Sequence, residues 1–173
     1  GAEVAVLTFA HGPLNLFDQA MFDAVIADVA ALTENPPRAV LLRAEGKVNS
    51  AGVDVHVFDG LNPEQGAELW RELFAQICHP LEALPCPVIY AAHGLTLTAA
   101  FEISLACDII LAADTATFGP PEIKLGTIPR LGGTQRFPPH PPAWRVASTG
   151  GASHPVWGSP DEAAPRPPPP PRP

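Results

Sequence analysis

Basic side chains are scarce in this sequence: ten Lys and Arg stand against 18 Asp and Glu, for a formal charge of −8. A nucleic-acid binder needs a basic face to neutralise phosphates, so that class is excluded. A few local donors can still hold an anionic ligand inside an acidic protein. Cysteine is nearly absent too. Cys78, Cys86 and Cys107 are odd in number and form no CxxC pair, which argues against a disulfide framework and a zinc site. No metal is expected, and a reducing cytoplasm is the expected compartment. Long apolar runs are missing as well: none reaches 18 residues and no signal peptide is visible, so no membrane span is expected. The chain begins with Gly1 rather than Met and enters a strand-like run at once, which suggests a true N-terminus further upstream.

Proline, by contrast, is abundant and unevenly placed. Ten prolines fall in the first 136 residues and 13 in the last 37, so the chain divides into two regions. Residues 1–137 carry periodic apolar patterns and read as one incomplete α/β core. Residues 138–173 carry almost none, end in PRPPPPPRP and hold two isolated tryptophans, Trp144 and Trp157. Such a segment buries too little apolar surface to offset chain entropy and is expected to be a disordered, polyproline-like tail. It reads either as a ligand for an SH3-type domain or as functionless sequence, its bias being that of a shifted reading frame in GC-rich DNA.

Within the core, Glu3 to Phe9 has the β-branched and apolar content of a buried strand. From Asp18 onward Phe22, Val25, Ile26, Val29 and Leu32 form the apolar stripe of an amphipathic helix, which Asn35-Pro36-Pro37 stops. Ala39 to Leu42 reads as a second strand and Glu45 to Asp54 as a glycine-containing loop. Pro63 opens another helix with Trp70, Leu73, Phe74 and Ile77 on its buried face. Val88 to Ala92, Thr98 to Ala106 and Ile109 to Ala112 complete the series as strand, buried helix and strand. Alternation of this kind predicts an α/β fold with a largely parallel sheet.

Three features could carry chemistry. Between Glu82 and Asp108 the only acidic or basic side chain, histidine aside, is Glu102. A lone carboxylate in so apolar a run is expected to have a raised pKa, useful in a general acid or base, although a half-exposed surface glutamate fits the pattern too. Glu122 follows a predicted strand end in Phe118-Gly119-Pro120-Pro121-Glu122, where α/β folds place functional groups and where plain turns also occur. Ser50-Ala51-Gly52-Val53-Asp54 has residues small enough for backbone N–H groups to approach a ligand, and the helix start near Thr98 offers a second set. Two such donors could hold a developing oxyanion; each loop alone reads equally as a tight turn.

The order NSAGVD, PVIYAAHG, an apolar helix ending EISLACDI, and TFGPPEIKLGTIPRLGGTQR resembles the enoyl-CoA hydratase/isomerase (crotonase) superfamily over residues 3–136. The resemblance implies a spiral of ββα units. It implies that Val53 and Ala99 supply the N–H groups of an oxyanion hole and that Glu102 and Glu122 are the catalytic pair. The coenzyme A part of the substrate would lie near Ala51, Gly52, Asp54, Val55 and His56. No separate cofactor is implied, since coenzyme A belongs to the substrate. Retention of both glutamates points to an enoyl-CoA hydratase, with an isomerase or other CoA-thioester enzyme, and a non-catalytic acyl-CoA binder, as the alternatives. A trimer-based homo-oligomer is the implied assembly.

Departures from the family pattern are specific. Thr98-Ala99-Ala100 stands where glycines are usual, Val53 where alanine is common, His56 where lysine is frequent and Pro120 where a polar residue is frequent. The proline-rich tail stands where family members continue into helices that complete the acyl pocket and the trimer interface, so that interface is expected to be compromised.

Overall fold

The computed structural model describes residues 3–119 and the backbone of residues 146–148. The apolar runs become a parallel sheet. β1 (Val4–Phe9) pairs with β2 (Ala39–Ala44), β2 with β3 (Val88–Ala92), and β3 with β5 (Ile109–Ala112), all in parallel. Along each strand alternate residues turn inward, so Leu7, Phe9, Val40, Leu42, Val88, Tyr90, Ala92, Ile110 and Ala112 share one buried face. The opposite face is more open: Val4 is 58% and Val6 49% exposed, and Ile109 and Leu111 are exposed too. β1 is therefore covered on one side only, where the apolar run had predicted a strand buried throughout. An apolar run reports composition, not which faces have neighbours.

A second, shorter ladder runs beside the first. Phe17 bridges Val53, Ser50 bridges Thr96, and β4 (Leu95–Leu97) pairs with β6 (Thr117–Gly119), again in parallel. The chain thus visits the long sheet, then the short ladder, then a helix before returning. That order produces the spiral of ββα units.

The helices follow their caps. α1 (Gln19–Glu34) starts where the Asp18 carboxylate accepts from the Met21 N–H at 2.8 Å. It buries Met21, Phe22, Val25, Val29 and Leu32. α2 (Pro63–Leu73) begins with a reciprocal Asn62–Gln65 capping box and Pro63 in its first turn. A π turn over Phe74–Cys78 then joins it to α3 (His79–Ala83), shifting the hydrogen-bond ladder just ahead of Pro80, which has no N–H to donate. α4 (Thr98–Leu105) has every residue from Ala99 to Leu105 buried. The core centres on Phe17, whose ring lies 5.4 Å from Phe9 and 5.3 Å from Phe22. Aromatic pairs at such distances stabilise beyond the area they bury.

One element lies where the sequence predicts none. β7 (Val146–Ser148) pairs in parallel with β5, with Val146 opposite Ile110 and Ser148 opposite Ala112. It falls inside the 138–173 segment assigned to the tail. Three residues are too few to display a period of two, so only the ladder reveals them.

Candidate active site

The site is assembled from the loop before residue 55 and the start of α4. Two buried asparagines hold that loop. Asn15 accepts from the His11 N–H and donates to the carbonyls of Glu45 and Val48, at 2.8, 2.8 and 3.0 Å. Asn49 donates to the Ala91 carbonyl at 2.9 Å and accepts from the N–H groups of His93 and Gly94 at 2.8 and 3.1 Å. It therefore ties the loop to the end of β3, 44 residues away in sequence. Asn15 was not singled out in the sequence and Asn49 entered only as the first residue of NSAGVD, because nothing in the local pattern of an Asn tells which distant backbone groups it will meet.

Beyond Asn49 the backbone donors are used one by one. Asn49 and Ser50 donate to the Leu95 carbonyl, Ala51 to Leu14, Gly52 to the Ser50 hydroxyl, and Asp54 to Phe17. The bridge to Phe17 runs through the Gly52 carbonyl and the Asp54 N–H, so the intervening Val53 turns its own N–H to the other side. Among the described residues Val53 thus contributes none of the backbone bonds that hold the loop.

Gly52 has φ +122°, a conformation that L side chains rarely adopt. Space demands glycine as well: a Cβ there would lie 2.9 Å from Thr98 Oγ1 and 3.2 Å from its Cγ2. This contact seats the loop on the first residue of α4. Among the described residues no side chain caps α4, whose N-cap position is Leu97, so the first-turn N–H of Ala99 meets no capping acceptor there. The structure therefore brings together the neighbourhoods of Val53 and Ala99, the two residues named from sequence as donors.

Glu102 lies on α4 three residues after Ala99 and four after Thr98, on the same helix face. It is 2% exposed, which removes the surface-glutamate alternative. Glu122 lies outside the described residues. The described chain reaches Gly119, which pairs with Leu97, the residue before α4.

Of the other named residues, Ala51 and Gly52 form the loop just described. Asp54 caps a 3-10 turn over Val55–Phe58 through its carboxylate and the His56 N–H, at 3.0 Å. Val55 and His56 are exposed at its rim. His56 Nδ1 lies 3.0 Å from Asp59 Oδ2, and this hydrogen bond, then the charges of Asp54 and Asp59, hold the imidazole pKa above its usual value. Burial pushes the Tyr90 hydroxyl and the Cys107 thiol well up, so both stay neutral at neutral pH and neither supplies a base. Thr98 itself went unassigned in the sequence, where it registered only as a departure from glycine.

The fold is thus an α/β spiral in which a glycine turn rests on the start of a buried helix, with one buried carboxylate a turn further along. Comparison with known proteins makes the assignment specific. A family model described as enoyl-CoA hydratase/isomerase matches residues 1–149. The chain is 32% identical over 156 residues to the Bacillus subtilis protein named "Probable enoyl-CoA hydratase", covering 90% of this chain and 60% of that one. Among solved structures, Pseudomonas aeruginosa DspI superposes with a TM-score of 0.72 at 28% identity, over 80% of this chain and 57% of that one. The enoyl-CoA hydratase of Bacillus anthracis superposes with a TM-score of 0.63 at 33% identity, over 77% and 53% respectively. The chain belongs to the enoyl-CoA hydratase/isomerase family. It spans between about half and 60% of the length of these relatives.

Proposed function

We propose that this chain carries the thioester-activating half of an enoyl-CoA hydratase. The observation that carries the reading is the approach of Gly52 to Thr98, the residues that precede Val53 and Ala99, with Glu102 buried a turn further along the same helix. The two N–H groups would polarise the thioester carbonyl and hold the enolate charge that develops on its oxygen, a stabilisation of about 3 kcal/mol per donor in comparable sites. One glutamate takes a proton from water as its oxygen bonds to the β-carbon; the other delivers a proton to the α-carbon. The sum is addition of one water across the double bond; the two carboxyl groups end with their protonation states exchanged, and a proton given up to solvent by one and regained from solvent by the other resets the pair. Glu122 is the second carboxylate of this reading: it stands three positions after Gly119, at most about 10 Å of extended chain.

The test follows loss of the conjugated enoyl absorbance of crotonyl-CoA. Turnover that disappears in both Glu102→Gln and Glu122→Gln supports the two-carboxylate hydratase. Turnover that survives either substitution overturns it. The second reading, a non-catalytic acyl-CoA binder, is favoured by one observation: Thr98 puts a β-branched side chain against Gly52. Acyl-CoA binding without turnover, unaffected by Glu102→Gln, would establish that reading instead.

His56 gives this proposal a pH signature. Its protonated form would face the phosphates of coenzyme A, and that form is lost as pH rises through the raised pKa. Coenzyme A affinity is therefore expected to weaken severalfold between about pH 6 and about pH 8.5. Asp54 and Asp59 keep the proton on but cancel part of its charge, which keeps the effect modest. In His56→Ala the dependence should flatten in a calorimetric titration; identical pH profiles for the two proteins would remove His56 from the phosphate site.

A further inference from the structure

Thr98 combines two unfavourable features at one position. Its φ is +46°, in the left-handed region where a β-branched residue is an outlier. Its Oγ1 is buried and has no hydrogen-bond partner among the described residues. Glycine would remove both penalties. Strained backbone and an unpaired buried hydroxyl are tolerated mainly where another state of the protein uses them. Here both belong to Thr98, which precedes Ala99 and lies against Gly52, the residue that precedes Val53.

We propose that Thr98 is a third donor of the oxyanion site, its Oγ1–H completing the pair of N–H groups around the thioester oxygen of a bound acyl-CoA. The proposal rests on the thioester reading given above and deepens it. The hydroxyl has no partner among the described residues, and a bound thioester oxygen would supply one, most strongly when that oxygen bears charge. A hydroxyl fixed by burial loses little freedom on meeting that charge, which is what makes a pre-set donor effective. The same methyl-bearing side chain narrows the cleft beside the thioester, so the site should also favour a slim acyl chain over one branched near the carbonyl.

The decisive probe is a 3-ketoacyl thioester, acetoacetyl-CoA, because its enolate has its own absorbance band and requires no turnover. Enolisation releases the proton between the two carbonyls to solvent and leaves the negative charge shared by the oxygens. Each protein is saturated with the probe and the enolate-to-keto ratio is read against pH. Thr98→Val keeps the shape and the β-branch but lacks the hydroxyl; it should lower the ratio about tenfold. Thr98→Ser should keep the ratio close to that of the parent. Thermal melting should move the other way, with Thr98→Val as stable as the parent or more so, since it removes an unpaired buried hydroxyl. A structural role alone would move melting and leave the enolate ratio untouched.

An unchanged ratio in Thr98→Val overturns the proposal while leaving the thioester reading intact. So does an equal loss in Thr98→Ser and Thr98→Val, which would assign the effect to methyl packing. Failure of the parent to bind the probe at all overturns the thioester reading, and this proposal with it.

Discussion

Replacing Glu102 by glutamine is expected to lower the rate of crotonyl-CoA hydration by two to four orders of magnitude, the usual worth of a positioned general acid or base. The substitution keeps the size of the side chain on a helix where every neighbour from Ala99 to Leu105 is buried. An amide is also easier to bury than a carboxylate, so the fold is not put at risk. What is lost is the capacity to take or give a proton one turn from the donor pair. Thioester affinity should change little, because the proposed function assigns binding to the loop around Gly52 and to the helix start. The result would be a fall in kcat with KM nearly constant, the pattern of an interaction made only in the transition state. A kcat within about fivefold of the parent, with affinity intact, would reduce Glu102 to a packing residue.

Gly94→Ala is expected to have the largest effect on stability. A Cβ at this position would lie 2.5 Å from the Lys47 carbonyl oxygen and 3.2 Å from Val48 Cα, both backbone atoms. A flexible side chain could move aside; a backbone carbonyl held in a loop cannot. The Gly94 N–H donates to Asn49 Oδ1 at 3.1 Å, and its carbonyl accepts from the Thr96 hydroxyl and the Thr117 N–H, each at 3.2 Å. Any shift that relieves the clash therefore loosens the Asn49 clamp, the β3–β4 connection and the entry to β6 together. A loss of about 3 kcal/mol follows from overpacking plus strained hydrogen bonds, or about 10 °C in melting temperature. The loop that carries Val53 should loosen at the same time, so thioester affinity should fall with stability. Melting unchanged from the parent would mean that the loop has room the structure does not indicate. Gly52→Ala offers a useful contrast. There the obstacle is the Thr98 side chain together with φ +122°, so shortening Thr98 should relieve only the steric part.

Much of the architecture was legible because it is periodic. Phe22, Val25, Val29 and Leu32 mark one face of α1, and the strands β2, β3 and β5 emerge from apolar runs bounded by turn residues. Pro63 marks the start of α2, where a missing N–H costs nothing. The three-residue strands β4 and β7 were not legible, since three residues do not establish a period, and of β6 only the end at Phe118-Gly119 was anticipated. The π turn before Pro80 was hidden for a different reason: it is a response of the ladder to proline and leaves no pattern of its own.

The site divides along the same line. Glu102 could be singled out because charge is absent around it for many residues in both directions, and its burial on α4 accords with that isolation. The small residues from Ser50 to Asp54 could be recognised as a place where backbone might approach a ligand. Sequence could not say that Gly52 rests on Thr98, that Asn15 and Asn49 hold the loop, or that β1 is covered on one face alone. It could say still less about a threonine with positive φ and an unpaired hydroxyl. Residue type and spacing encode the local menu of helix, strand and turn, because those choices are made within a few residues. Which donor meets which acceptor across 40 or more residues is settled only when parallel strands, brought together by crossovers, fix the loops between them.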